Sequence, residues 1–504
     1  MVAVQRSNTF LSKTFSSAGN KKVFTVSFWA KFPGVETTGD GDGLSNAVNG
    51  NTYAQYSPCI FSAKNSSNVS TVLELYSHIL NDNFIKDWHP STMTFGFHNA
   101  RDYNAANRRN IFPKTMDPNG WYHFVWGIDT TQSASNDRIN AYINGIQVVG
   151  DIDDVFYTSS STLGNGSIPF AGGNITQNVE YAFGDNVLHY IGRNTAHEDR
   201  FFDGMLAHFI FIDGTRYDYT SFAEFDSATG FYKPKPNPSV TYGTNGFWLK
   251  FDNQSNMGAD SSGNSNNWTV HGPLINSKDA PSNCFACLQR GVRKTTTLGP
   301  NYCLVSQSGL DYTAANTSHD TVAISTLGAN SGKWYSEFKV VDEGDFVRVG
   351  VIQLESRKTN KFIGDSNSIF YDSGGQKHVH SGNTGASYGS SYTDGDIVQI
   401  ALDCDNKAIY FGKNNTWQNS ATASEIAAGT TTNAAYVGLN QNDFWNFVIT
   451  GKNLSNVKAN FGQGHFGNTA LASSNIESES GGKFEYAPPS GFVGLCTKTI
   501  NKFG

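Results

Sequence analysis

Apolar residues fall at every second position in one segment of this chain after another, the pattern of strands with one face on a core. Phe24-Thr25-Val26-Ser27-Phe28-Trp29-Ala30 alternates in this way, and so does His123 to Asp129, with Phe124, Trp126 and Ile128 on the inward face. Arg138 to Ile143 leads into Asn144-Gly145 and out through Ile146-Gln147-Val148. Asn-Gly between alternating apolar residues predicts a two-residue hairpin, because both turn residues need positive φ. Met205 to Ile212 is apolar almost throughout and is bounded by Gly204 and Gly214. That predicts a short strand buried on both faces.

The alternation stops between about Ile275 and Thr297. Asp279-Ala280-Pro281-Ser282-Asn283 and the basic run from Gln289 to Lys294 there predict a linker. It resumes at Gly332 to Val340 and at Phe346 to Ile352. Val398, Ile400 and Leu402 then share a face, Asp405-Asn406 turns the chain, Ile409 and Phe411 return, and Lys413-Asn414-Asn415 turns it again. Asn suits such turns because it tolerates the left-handed conformation. The segment predicts a three-strand meander. Ala421 to Gly429 predicts one helical turn, Gly464 to Gly482 a polar tail, and Phe484 to Cys496 a last strand. The fold class expected is all-β: two antiparallel β-sandwich domains in tandem, 1–272 and 299–504, with 273–298 as linker.

Composition narrows the function classes. Aromatics make up 13% of the 504 residues and charged residues only 16%, with 51 Gly. The aromatics argue against disorder, and the scarcity of charge against a helical bundle. The net charge of −7 gives no basic surface for nucleic acid, so none is expected as a partner. The opening MVAVQRSNTF holds no apolar run suited to a signal peptide, and no stretch approaches ~18 apolar residues, so neither export by the standard route nor membrane insertion is expected. Six scattered cysteines imply no disulfide framework.

Particular strings carry a family resemblance. Gly120-Trp121-Tyr122-His123-Phe124-Val125-Trp126, Ala141-Tyr142-Ile143-Asn144-Gly145, Phe202-Asp203-Gly204-Met205-Leu206-Ala207 and Phe211-Ile212-Asp213-Gly214 resemble the laminin-G/concanavalin A-like lectin jelly roll. Thr244 to Asp252 with Asp260 to Trp268 resembles the opening strands of such domains but sits at the end of this one, as a circular permutation would place it. The second half resembles a SPRY domain through Ser331-Gly332-Lys333-Trp334-Tyr335-Ser336-Glu337, Gly395 to Asp403, Ile409-Tyr410-Phe411-Gly412-Lys413-Asn414 and Asn460-Phe461-Gly462-Gln463. Asn415 stands where that family commonly has Gly. The ordered pair resembles virion structural proteins of tailed bacteriophages. The resemblance implies a location on the virion, other virion proteins as partners, and a homo-oligomer, most simply a trimer.

Candidate chemistry is sparse. Cys284-Phe285-Ala286-Cys287 has metal spacing, but the second ligand pair that zinc needs is missing, so chance placement is the reading. His378 and His380 lie two apart and would point one way on an extended strand, enough for a transition metal at a trimer axis; an ordinary solvated loop is the plainer reading. Asp252, Asn253, Asp260, Ser262, Asn264 and Asn266 offer closely spaced oxygens, as Ca2+ prefers, or else simply form turns. Residues 83–112 combine Trp88, His89, His98, Arg101, Tyr103, Arg108 and Arg109 and suit either stacking on a glycan or a subunit contact. A second candidate loop runs from Tyr371 to Tyr392.

A glycosidase needs two carboxylates about 5–10 Å apart. No E-x-D-x-x-E string occurs, and the adjacent Glu198 and Asp199 would point to opposite faces of a strand. Neither a G-x-S-x-G elbow nor an H-E-x-x-H helix is present. His123 and His208, inside apolar strands, read as structural. The expectation is a non-enzymatic phage surface protein without a required cofactor, contacting other subunits and host surface polysaccharide. The rivals are a virion-borne glycan depolymerase and a cellular lectin or adhesin.

Overall fold

The computed structural model describes residues 2–4, 9–32, 45–48, 51–54, 59–67, 69–77, 90–98, 108–111, 117, 119–148, 175–195, 201–227, 230–290, 303–306, 308–314, 320–353, 367–379 and 385–503. It is all-β, with antiparallel strand pairing in every sheet. The chain divides into two compact units between Asn276 and Ser277.

The first unit holds two large sheets. One runs Ile146–Gln147, Ile139–Ile143, Tyr122–Asp129, Val23–Lys31, Gly204–Asp213, Val2–Val4, Ile275–Asn276, with Phe247–Leu249 also on Gly204–Asp213. The other runs Thr269–His271, Phe10–Thr14, Leu188–Ile191, Cys59–Lys64, Ser70–Ser77, Pro90–His98, Arg108–Ile111. Alternation places Phe28, Phe124 and Phe209 on the inner face of the first sheet, their rings 5.4 and 5.5 Å apart. Phe61 from the second sheet meets Phe209 edge-on at 5.4 Å, so aromatic rings fill the core between the sheets. Gly204–Asp213 is buried on both faces, because Phe222 and Trp248 cover the outer one over Val125, Ile210 and Ile212.

The second unit repeats the plan. One sheet runs Leu288–Arg290, Thr321–Ser325, Trp445–Lys452, Phe346–Gln353, Ser368–Asp372, Gln376–Val379, Ala386–Ser387. The other runs Cys303–Ser306, Asp311–Ala314, Asn456–Asn460, Lys333–Asp342, Ile397–Asp403, Ala408–Lys413, Thr416–Trp417, with Tyr436–Val437 on Ala408–Lys413. Val347, Val349, Val351 and Phe447 of the first sheet pack with Trp334, Phe338, Val398 and Ile400 of the second in one cluster. The helical turn is Ala423–Ala428, started by a Thr422/Glu425 capping box and ended by Gly429 at φ +76°.

Three expectations change. The segment 273–298 is not a plain linker: Ile275–Asn276 pairs with Val2–Val4, while Phe285, Ala286, Cys287 and Leu288 are buried in the second unit. Its core residues are contiguous rather than alternating, so they leave no periodic signal. The segment 83–112 is not wholly loop: Pro90–His98 pairs along Ser70–Ser77, and Arg108–Ile111 extends the sheet. Phe484 to Cys496 is not a continuous strand. Only Lys483–Phe484 is a strand, and the chain beyond its prolines forms single bridges from Val493 to Trp334 and from Cys496 to Phe285.

Candidate functional site

The predicted site residues scatter. Trp88, His89, Arg101, Tyr103 and His380 lie outside the described residues. His98 sits opposite Ser70, and Arg108 and Arg109 opposite Gly96 and Phe95, at the outer end of the second sheet of the first unit. Asp252 is exposed. Asp260 accepts hydrogen bonds from the Trp248 and Ser262 N–H groups on one oxygen, and from Asn266 N–H and the Ser262 hydroxyl on the other. Asn264 donates to the carbonyls of Gly243 and Gly246, and Asn266 to those of Thr244 and Gly246. These side chains staple the 260–266 loop to the 243–248 segment. Among the described residues, no group of three or more His, Cys, Asp or Glu side chains could hold a metal ion.

His378 is not on a solvated loop. It lies in the strand Gln376–Val379, is buried, and its Nε2 meets Asp372 Oδ2 at 2.6 Å. Despite burial, hydrogen bonds from His378 and the Gln376 N–H hold the Asp372 carboxyl below its ordinary range. The tyrosines of the second candidate loop are core residues as well. Tyr392 donates to the Val347 and Tyr371 carbonyls, and Tyr371 packs against Tyr388, Tyr392 and Phe411. The cysteines are free thiols, and Cys287 belongs to the core.

Two side-chain networks stand out. In the first unit, His123 Nε2 lies 2.9 Å from Ser27 Oγ, and its Nδ1 lies 2.8 Å from the Tyr232 hydroxyl. The imidazole also stacks on Trp29 at 4.8 Å. A hydroxyl, an imidazole and a third polar group in line are the ingredients of an activated nucleophile. Here, however, Ser27 and His123 are each only 1% exposed. Burial, with His208 nearby, lowers the His123 pKa to about 3, so the ring is neutral. The relay anchors Tyr232 to the sheet.

In the second unit, Tyr335 and Glu337 occupy the face of Lys333–Asp342 opposite Trp334 and Phe338. The Glu337 carboxylate is fully buried and faces donors on every side. Tyr335 O–H and Tyr486 N–H donate to one oxygen, and Glu485 N–H and Asn460 Nδ2 to the other. Gln399 donates to the Tyr335 hydroxyl. Burial raises the Glu337 pKa to about 7, against the pull of those four donors. Phe484 and Phe492 cover Tyr335 in the same cluster as Trp417 and Tyr410. The network clasps the C-terminal segment onto the sheet. Asn460 and Gln463 complete it: Asn460 Oδ1 accepts from Gly462 and Gly464 N–H, and Gln463 from Phe461 N–H. Gly462 sits at φ +120°, and a Cβ there would lie 2.4 Å from the Phe285 ring. The long-range partnerships of Glu337 are not visible as a sequence motif, because its partners Asn460, Glu485 and Tyr486 lie 123 to 149 residues away. Glu337 shares its strand face with Lys333, Tyr335 and Lys339, a mixed polar pattern that reads as solvent-facing, so the strand itself gave no signal of a buried carboxylate.

The SPRY family matches residues 333–457, the span of the meander and of the strands that flank it. Residues 333–457 are a SPRY domain. Two solved structures are similar to it. The SPRY domain of human HERC1 is 20% identical, with 31% of this chain and 91% of that one covered and a TM-score of 0.25. A second human SPRY domain is 14% identical, with 30% and 91% covered and a TM-score of 0.23. No curated protein matches the chain. The Glu337 clasp thus joins the SPRY strand Lys333–Asp342 to residues 460–486, which lie beyond the family match.

One surface feature of the SPRY domain is costly by itself. Leu454 lies at φ +67° at the tip between Trp445–Lys452 and Asn456–Asn460, with its side chain 51% exposed. A bulky residue held left-handed is strained, and such residues are kept at functional positions more than elsewhere.

Proposed function

We propose that this protein is a non-enzymatic structural component of a tailed-phage virion, displayed on the particle surface as a fibre, spike, knob or decoration. It contacts other virion subunits and host surface polysaccharide, and it assembles as a homo-oligomer, most simply a trimer. The observation that carries this reading is a SPRY domain and a second antiparallel sandwich in one chain. SPRY domains are generally interaction modules. Strained, half-exposed Leu454 offers a contact point of the kind a subunit interface covers. The closed Ser27–His123–Tyr232 relay and the four-donor shell of Glu337 favour a binding role over hydrolysis. The laminin-G/concanavalin A-like strings of the first half agree with a glycan-facing sandwich.

The deciding experiment is localisation on purified particles by antibody labelling and reconstruction. Regular density at a fixed copy number is expected. Absence from the particle, or release of oligosaccharides from host polysaccharide by the purified protein, overturns the reading.

A further inference from the structure

We draw no further inference here: the strongest candidate, the side-chain cluster of His271, Phe10 and Tyr190 beneath the Arg193 guanidinium on the second sheet of the first unit, carries none, because nothing in the structure shows what covers it.

Discussion

The two units solve the same architectural problem with different buried polar groups. In the first, three neutral imidazoles sit among the buried rings, alongside the buried Lys31 and Glu74: His123 between Ser27 and Tyr232, His189 on the Gly184 N–H, and His208 beside Trp248. In the second, the centre is a carboxylate ringed by donors, Glu337, backed by Tyr335, Gln399 and Asn460. A neutral imidazole can be satisfied by two partners and stacked among rings. A buried carboxylate leaves a much larger penalty when any donor is withdrawn. The difference ties integrity of the second unit to its C-terminal segment, whereas the first depends on ring packing.

The largest expected effect tests where the units divide. A fragment of residues 277–504 should unfold cooperatively. A fragment of 299–504 should show no cooperative transition, because it lacks Phe285, Ala286, Cys287 and Leu288 and the Leu288–Arg290 strand that pairs with Thr321–Ser325. Losing even one such buried side chain costs about 2–5 kcal/mol. Equal melting of the two fragments would put the boundary where the alternation alone suggested it.

Next comes the clasp. Glu337→Ala strands the Glu485 and Tyr486 N–H groups and the Tyr335 hydroxyl, and should cost roughly 3–5 kcal/mol in denaturant unfolding of the second unit. Early protease cleavage within 463–486 should accompany it. His123→Phe keeps the stack on Trp29 and loses only two neutral hydrogen bonds, so about 1–2 kcal/mol is expected. Equal costs would erase the distinction between the two units.

What could be read beforehand follows from the range of the signal. Alternation and the Asn144-Gly145 turn are local, and the strands Val23–Lys31, Tyr122–Asp129, Ile139–Ile143, Lys333–Asp342 and Ile397–Asp403 lie where the pattern placed them. Pro90–His98 was legible too: Met93, Phe95 and Phe97 alternate, but among polar and charged neighbours that read as a loop. The partners of Glu337 were not legible, since Glu485 and Tyr486 contribute backbone groups, which any residue has. His378 misled for a related reason: flanking Gly and Ser suggested a solvated loop, while Asp372, six residues earlier, holds it inside.

The polar groups also set opposite responses to pH. Burial lowers His123 to about 3 and His189 and His208 to about 4, below the ordinary imidazole value of 6.5. Between those values the unfolded chain binds more protons than the folded one, so stability of the first unit falls as pH drops from 6.5 towards 4. For a fully buried ring such as His189 the loss is about 3 kcal/mol. Glu337 acts the other way. With its pKa raised to about 7, the folded state holds the extra proton, and stability falls as pH rises from 4.5 to 7. His465, lowered by burial to about 4, opposes it within the second unit. Melting temperatures of fragments 1–276 and 277–504 from pH 4 to 8 should show a steep acid loss in the first and a much flatter profile in the second. A first unit as flat as the second would mean that its histidines are not neutral and buried in solution.

The smallest effect compares two hairpin tips. The first unit turns on Asn144-Gly145, at φ +49° and +79°, and the second on Asn414-Asn415, at φ +47° and +66°. Both residues of such a turn are left-handed, which Gly adopts without a Cβ penalty and Asn with a modest one. Asn415→Gly should therefore be neutral to stabilising by at most about 1 kcal/mol, since the one contact that fixes position 415 is a backbone N–H to Gln399 Oε1, which Gly retains. Asn414 is different: its side chain accepts from Ile397 N–H and donates to Asp396, so it is left unchanged. The reverse change, Gly145→Asn, meets a wall. Its Cβ would lie 3.1 Å from the Tyr232 ring, and that ring is pinned by His123 and cannot give way cheaply. Thermal unfolding should show the first substitution gaining slightly and the second losing clearly. If Gly145→Asn is tolerated as well as Asn415→Gly, the Tyr232 anchor is looser than its hydrogen bond to His123 implies.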